Sequence, residues 1–305
     1  MELPTGLHPC GQKQSFPGSR GVPAARMKFL RRLACAILSL CLVLAALQLW
    51  KLSAEPGAHW TPDYPRAGLS EIIQKPKPEP ADYPLLLRQT GLAPSVVDEL
   101  YRQGRQASLS DFQEAFFSRP AIRCEPNSPI SSEEHTVDAL GNPVSGTRLA
   151  FLEDGDILVT PCSHTFGWRN GHAALVVDAA QGLTLESVVL GMDSCIQHVS
   201  KWETYPAVLM FRLRGAGAEK RAEIAKAAWE DLEGIPYGFT VGLFSPKHPE
   251  QVTETHCAHL VWEACRAFGY DVDGDGGLIV TPNDLSRSPL LELKQAWGVN
   301  PETLW

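Results

Sequence analysis

The chain has 305 residues, 44% of them hydrophobic and 20% charged, which is the composition of a globular protein with one sizeable core and an appended region. Its formal net charge of −8 argues against nucleic acid as a partner, because nucleic-acid-binding surfaces are rich in Lys and Arg. An enzyme or a binding module is left open.

Residues 1–26 are rich in Gly, Pro and Ser and show no periodicity. We predict that they are disordered or precede the true start, because Met27 begins a sequence typical of an export signal. An apolar run follows over residues 33–50, and at about 1.5 Å per residue it approaches the thickness of the bilayer hydrocarbon. We therefore predict an uncleaved signal anchor over residues 27–52, with a cleaved signal peptide as the alternative.

The basic residues Lys28, Arg31 and Arg32 precede this apolar run. Since basic flanks stay on the cytoplasmic side, the chain beyond about Lys51 is expected on the periplasmic or extracytoplasmic side. The membrane is therefore an expected partner through the N-terminal helix.

Residues 53–84 are rich in Pro and are predicted to form an extended spacer. Residues 85–145 are predicted to form a small helical lead-in, with short helices near residues 94–101 and 109–117. The aromatic face of the second helix is expected to pack against the main domain.

Residues 146–305 are predicted to form the main domain, an α+β fold in which an antiparallel β-sheet packs on helices. Short apolar segments with β-branched residues are the predicted strands: 155–160, 172–178, 183–190 and 207–213. An amphipathic helix is predicted over residues 218–233.

A cysteine stands at the first turn of a further predicted helix. In our interpretation Thr253 or Thr255 caps this helix and Gly269 ends it. Cys257 then lies at the positive end of the helix dipole, which lowers the pKa of a thiol and favours a nucleophile. The alternative is a buried structural cysteine, the usual state of an unpaired Cys.

A nucleophilic thiol needs a base, and on a helix neither His256 nor His259 shares a face with Cys257. The best candidate is His172, at the start of an apolar strand. Glu186, on the next predicted strand, would orient the imidazole if both side chains lie on the same sheet face.

The register of this hairpin decides whether the side chains of His172 and Glu186 lie on the same sheet face. Pairing Val177 with Leu183 or with Gln181 places His172 and Glu186 on the same face, whereas a slip of one residue separates them.

Six short segments occur in a characteristic order: Gly-Asp-Ile (155–157), Gly-His-Ala-Ala-Leu-Val (171–176), Leu-Glu-Ser-Val (185–188), Ile-Pro-Tyr-Gly-Phe (235–239), Cys-Ala-His-Leu-Val-Trp (257–262) and Thr-Pro-Asn-Asp-Leu (281–285). This order resembles the YiiX/YaeF-type permuted papain-like amidases, relatives of the NlpC-type cell-wall peptidases and of lecithin retinol acyltransferase. The resemblance implies a papain-like fold over roughly residues 149–305. It also implies Cys257 as nucleophile, His172 as base and Glu186 as third catalytic residue.

Family members commonly have Tyr-Cys-Ser-Glu-Leu where this chain has His-Cys-Ala-His-Leu over residues 256–260. The substituted residues His256 and His259 flank the nucleophile, so they are assigned to substrate binding. Tyr237 resembles a tyrosine that the family keeps near its thiol, and is assigned likewise. The alternative for Tyr237 is a packing aromatic.

These inferences predict a membrane-anchored cysteine amidase or peptidase that cleaves an amide bond through a thioester with Cys257. An envelope location makes a cell-wall peptide or an N-acyl amino acid the expected substrate. One rival is a lipid-acting acyltransferase or hydrolase of the lecithin retinol acyltransferase type. The other is a non-catalytic envelope binding module. The oligomeric state is left open.

Residues 271–276 imitate the start of a calcium loop, with Asp at positions one, three and five and Gly at position six. Pro282 occupies position twelve, where a bidentate Glu is needed, so a plain turn is preferred. No Cys-x-x-Cys or His-x-x-x-His spacing indicates zinc. We expect neither a metal nor a cofactor.

Overall fold

The computed structural model describes residues 24–54 and 57–304, with side chains for residues 27–47 and 57–304. Helix α1 (Ala24–Ala54) belongs to one compact unit, and the residues from Pro56 onward form the other, which we call the body. The prediction for residues 1–26 falls mostly outside the described residues.

Helix α1 carries an apolar stretch of 21 residues, Met27–Leu47, that is long enough to cross a membrane. Within the described residues it is the one helix of this kind. Its length and composition suit either a membrane anchor or a signal sequence.

The body mixes helices with antiparallel sheet. Its described helices are α2 (Ser70–Ile73), α3 (Asp82–Thr90), α4 (Pro94–Arg102), α5 (Leu109–Phe116), α6 (Ala218–Leu232), α7 (Cys257–Arg266) and α8 (Pro282–Ser286). Its described strands are β1 (Ala121–Pro126), β2 (Ser131–Val137), β3 (Ile157–Thr160), β4 (Ser163–Thr165), β5 (Trp168–Arg169), β6 (His172–Asp178), β7 (Leu183–Glu186), β8 (Cys195–His198), β9 (Val208–Leu213) and β10 (Leu291–Trp297).

The larger sheet has six antiparallel strands in the order β10-β9-β3-β6-β7-β8. Helices α6 and α7 pack against β6, and every residue of β3 is buried. Of the four predicted strands, β3, β6 and β7 are neighbours in their chain order, whereas β9 pairs with the other side of β3; β8 and β10 were not predicted. This arrangement puts the start of β6 and the start of α7 in one buried region.

The prediction of a spacer over residues 53–84 is wrong for its described part from residue 57 onward. The backbone N–H of Trp60 donates to the carbonyl of Gly298 at 2.7 Å, and Nδ1 of His59 lies 2.5 Å from the carbonyl oxygen of Pro206. Leu69 is buried in a cluster with side chains of α3, α4 and α5. The prolines restrict the backbone, but the apolar side chains between them still find a core to join.

The lead-in over residues 85–145 is helical only in its first half. Helices α4 and α5 lie close to their predicted positions. Strands β1 and β2 then form a hairpin, and β2 pairs with β4 in a second sheet of order β1-β2-β4-β5. The sequence of β2, Ser-Ser-Glu-Glu-His-Thr-Val, has no alternation of apolar and polar residues, so its strand character was not visible.

The hairpin of β6 and β7 pairs Leu175 with Leu185 and continues with Val176 opposite Thr184. A bulge at the next position makes Asp178, rather than Val177, the partner of Leu183. On the His172 side of the bulge, the register is one of the two that were expected. It places His172 and Glu186 on the same face, diagonally across the hairpin.

Candidate functional site

Helix α7 places Cys257 at its first position. His256 is the N-cap residue, with extended backbone angles (φ −128°, ψ 172°), and its side chain accepts a hydrogen bond from the backbone N–H of His259. Neither Thr253 nor Thr255 caps the helix, because Thr255 belongs to an extended segment that bridges to Tyr237. The thiol thus lies beside backbone N–H groups that have no intrahelical acceptor.

The imidazole of His172 lies within hydrogen-bonding reach of the Cys257 thiol. Both residues are buried, with 2% and 6% of their surfaces exposed. Nε2 of His172 is 2.7 Å from Oε2 of Glu186, which leaves Nδ1 as the nitrogen available to the thiol. The structure therefore brings Cys257, His172 and Glu186 together in one chain of contacts.

Glu186 is held in place by donors other than His172. Its Oε1 atom accepts hydrogen bonds from the hydroxyl of Thr184 at 2.7 Å and from Nε1–H of Trp202 at 2.8 Å. Nζ of Lys201 lies 3.9 Å from Oε2. A fully buried carboxylate needs such partners, since an unpaired buried charge is strongly destabilising.

Trp202 also contacts the histidine directly. Its indole stacks on the imidazole of His172, with ring centroids 5.5 Å apart and an interplanar angle of 18°. Sequence reasoning missed Trp202 because it lies in a short 3-10 helix, Val199–Thr204, that no periodic pattern marks. The residue thus fixes both members of the His172–Glu186 pair.

The thiol and the imidazole shift each other's protonation. Burial alone would raise the pKa of Cys257, but the imidazoles of His172 and His256 outweigh it and lower that pKa from 9.0 to about 6. Burial alone would lower the pKa of His172, but the thiol and Glu186 raise it from 6.5 to about 10. Between these two values the pair is a thiolate beside an imidazolium, which is the reactive form of a cysteine.

The other buried thiols of the body show what burial does without such neighbours. Burial raises the pKa of Cys265 to about 12, and it raises the pKa of Cys162 as well. Among these three buried thiols, only Cys257, which lies beside His172, has a lowered pKa. The neighbours of Cys257 therefore reverse the effect that burial has on the pKa of the other two thiols.

Cys257 lines a cleft of about 440 Å³. The segment before β6 contributes Asn170, and the loop after α6 contributes Tyr237 and Phe239. His256 completes this side of the cleft beside the thiol. A separate cavity of about 480 Å³ is lined by residues of α6 and α7 and by none of Cys257, His172 and Glu186.

The three residues assigned to substrate binding are in different positions. Tyr237 and His256 line the cleft. His259 does not: it is 1% exposed, its Nδ1 contacts the hydroxyl of Thr255 at 2.9 Å, and its Nε2 contacts the carbonyl of Lys247 at 2.7 Å. His259 therefore fastens the loop around Lys247 to α7, and burial lowers its pKa to about 4.

Exposed apolar side chains border one part of the cleft. We call the exposed residues Phe166, Phe239 and Leu278 the apolar rim. The rings of Phe166 and Phe239 are in contact, with centroids 6.4 Å apart, and Leu278 precedes Ile279, a cleft residue. Clustered exposed apolar groups of this kind are typical of a surface that meets an apolar ligand, a membrane or a protein.

The calcium-like turn and the start of α8 bring three acidic side chains together. Carboxylate oxygens of Asp273, Asp275 and Asp284 lie within 4.8 Å of one another. Asp273 forms an ion pair with Lys247, and Asp284 accepts hydrogen bonds from the backbone and hydroxyl of Thr281. Asp275 accepts a hydrogen bond from the backbone N–H of Gly277 at 2.7 Å, so all three carboxylates are already engaged by the protein.

Neither a family model nor a curated protein matches the chain. Among solved structures, the chain is similar to the crystal structure of metalloprotein yiiX from Escherichia coli O157:H7, DUF1105. The sequences are 14% identical, the TM-score is 0.36, and the alignment covers 48% of this chain and 98% of that chain. A similarity this weak supports no conclusion about the fold or the function of this chain.

Proposed function

We propose that this protein is a cysteine hydrolase that cleaves an amide bond through a thioester with Cys257. One observation carries the proposal: three elements, β6, β7 and α7, bring His172, Glu186 and Cys257 into a single chain of contacts that ends at an open cleft. Pairs of this kind, with a third group that orients the base, are the recurring arrangement of covalent acyl transfer.

The reaction would begin with the thiolate of Cys257, whose proton rests on His172. Sulfur attacks the carbonyl carbon of the substrate, and the electron pair of the C=O bond moves to oxygen. When that carbonyl re-forms, the C–N bond breaks and His172 gives its proton to the leaving amine. Water, deprotonated by His172, then hydrolyses the thioester and frees the acid.

The body fits a papain-like hydrolase in its arrangement as well as in its residues. The helix that carries the thiol packs on the strand that carries the imidazole, and that strand comes first in the chain. This is the order of the permuted papain-like group that the sequence motifs resemble. The fold assignment rests on these features and not on overall similarity to a solved structure.

The place of action in this proposal is the outer face of a membrane. Helix α1 would act as the anchor, and the basic residues Lys28, Arg31 and Arg32 near its start would stay in the cytoplasm. A cell-wall peptide or an N-acyl amino acid is the amide that an enzyme in that position would meet.

The apolar rim favours a second candidate with the same thiol chemistry. An acyltransferase or hydrolase of the lecithin retinol acyltransferase type would use such a rim to receive the acyl chain of a lipid. The two candidates differ in substrate: the first cleaves soluble peptides or N-acyl amino acids, and the second consumes phospholipid in vesicles.

The test compares the full chain with its Cys257→Ser and His172→Ala variants on three probes: a cross-linked cell-wall peptide, an N-acyl amino acid and phosphatidylcholine vesicles. We expect turnover of one probe that both variants lose by at least about 100-fold. Phosphatidylcholine turnover alone would select the second candidate. Turnover that survives in Cys257→Ser would show that the thiol is not the nucleophile. No turnover, together with a Cys257 thiol inert to iodoacetamide, would leave a non-catalytic binding module.

A further inference from the structure

His256 has one ring nitrogen in use and one without a partner. As the N-cap residue of α7, it accepts the backbone N–H of His259 through Nδ1. A nitrogen that accepts a hydrogen bond carries no proton, so the proton of the neutral imidazole is on Nε2. His256 therefore presents a single N–H donor.

That donor is buried and unsatisfied. His256 is 7% exposed, and its Nε2 meets no hydrogen-bond geometry with a described residue, although the ring lies beside the Cys257 thiol and lowers the pKa of that thiol. A buried donor without an acceptor costs about 1–3 kcal/mol, so its presence calls for an explanation. His256 lines the same cleft as Cys257, and an acceptor bound in that cleft would satisfy the donor.

Backbone donors lie next to the same nitrogen. The N–H groups of Cys257 and Ala258 occupy the first turn of the ten-residue helix α7, where no intrahelical acceptor is available. The helix dipole adds positive potential at this end. A negatively charged oxygen formed beside the sulfur would thus meet donors from the backbone and from His256.

We propose that Nε2–H of His256 donates a hydrogen bond to the oxygen of the acyl group that Cys257 attacks, an assignment that rests on the proposed function. As the S–C bond forms, the C=O electron pair moves to that oxygen, and the hydrogen bond strengthens with the charge. The bond weakens again when the carbonyl re-forms and the leaving group departs. His256 is then a catalytic residue in its own right, separate from the base His172.

The test separates acyl transfer from alkylation. Iodoacetamide reacts with a thiolate by displacement of iodide and forms no oxyanion, whereas p-nitrophenyl butyrate acylates the thiol through one. Both rates are measured on the full chain in detergent at pH 8, with Cys257→Ser subtracted as background. His256→Asn is the variant, because Asn also caps helices but its shorter side chain does not replace Nε2–H.

We expect His256→Asn to slow acylation by about 100-fold or more while alkylation changes by no more than about threefold. His248→Asn is the matched control, since His248 is half exposed and contacts Glu263 outside the catalytic cleft. Its two rates should equal those of the parent.

Equal losses in the two rates would overturn the proposal, because they would mean that His256 acts only on the thiolate. Unchanged acylation would overturn it as well. If His256→Asn melts at a lower temperature than the parent, His256→Ser provides a second capped variant for the same ratio of rates. A parent Cys257 that resists iodoacetamide would instead refute the proposed function itself.

Discussion

Glu186 is a buried carboxylate whose surroundings differ from those of an ordinary hydrophobic core. It is fully buried, and its two oxygens accept from Thr184 and Trp202 and face His172. Burial opposes its ionisation, but the hydrogen bond to His172 prevails and the pKa of this carboxyl is lowered. A charge kept at this depth stabilises the imidazolium of His172 and so the thiolate beyond it.

Replacing Glu186 by Gln should lower the pKa of His172, because the variant removes the carboxylate that favours the protonated ring. Hydrogen bonds to charged groups contribute about 1.5–3 kcal/mol, so the midpoint should fall from about 10 by at least about one pH unit. An NMR titration of the His172 ring measures it. Glu223→Gln, at an exposed position of α6, is the control. An unchanged midpoint in Glu186→Gln would mean that the carboxylate does not govern the imidazole.

Trp202→Phe should keep the stacked ring and lose the donor to Glu186. Leaving a buried carboxylate oxygen with one donor fewer should reduce the free energy of unfolding by about 2 kcal/mol. Trp229→Phe is the matched control, because Nε1–H of Trp229 also donates to a carboxylate, that of Glu233, but on the surface. Chemical denaturation measures both variants. Equal, small losses in the two variants would show that the buried indole N–H of Trp202 contributes no more to stability than the surface indole N–H of Trp229.

At the scale of elements, the packing of the helical lead-in on the sheet depends on one close approach. Gly91 ends α3 in the left-handed conformation (φ 71°), and its carbonyl accepts the backbone N–H of Ala296 in β10. A Cβ at this position would lie 1.9 Å from the carbonyl oxygen of Ala296. The segment between α3 and α4 is thus hydrogen-bonded to the edge strand β10.

Gly91→Ala should destabilise the protein by clearly more than Gly104→Ala. Both glycines have positive φ, so both variants incur the left-handed penalty of about 1–2 kcal/mol. Only the first would also clash with backbone, since nothing lies near a Cβ at Gly104. The difference in melting temperature between the two variants measures the cost of the clash with the Ala296 carbonyl. Similar temperatures for the two variants would argue that α3 does not dock on β10.

The sequence predicted the elements whose apolar side chains follow a recognisable pattern. Strand β6 and helices α4 and α6 are apolar at regular spacing and lie close to their predicted bounds. The polar strand β2 has no such pattern. His256 was excluded as the base because a helix was assumed to include it, and it was assigned to substrate binding. Its extended backbone instead brings the ring beside the Cys257 thiol. Contacts of this kind depend on the path of the chain between elements.

For the molecule as a whole, helix α1 and the body have separate tasks in this account. The body has its own extensive core, whereas residues 27–47 of α1 are exposed and, after the basic residues Lys28, Arg31 and Arg32, almost entirely apolar. A stretch of this kind is unfavourable in water and favourable in a bilayer.

Deleting residues 1–52 should therefore give a soluble protein that retains a reactive Cys257, as measured by sedimentation and by iodoacetamide labelling. A reporter that is active only in the cytoplasm, fused to the C-terminus of the full chain, should give no signal. A bright reporter would invert the topology and make a cytoplasmic acyl substrate the better expectation.

The central claim is that His172 keeps Cys257 as a thiolate, and the pH dependence of Cys257 alkylation by iodoacetamide measures this most directly. Above its pKa the thiol is ionised and reacts, so the rate should rise to its plateau with a midpoint near pH 6. In His172→Ala the midpoint should move up toward the ordinary thiol value of 9.0. A midpoint near 9 in the parent chain, unchanged by His172→Ala, would contradict the account.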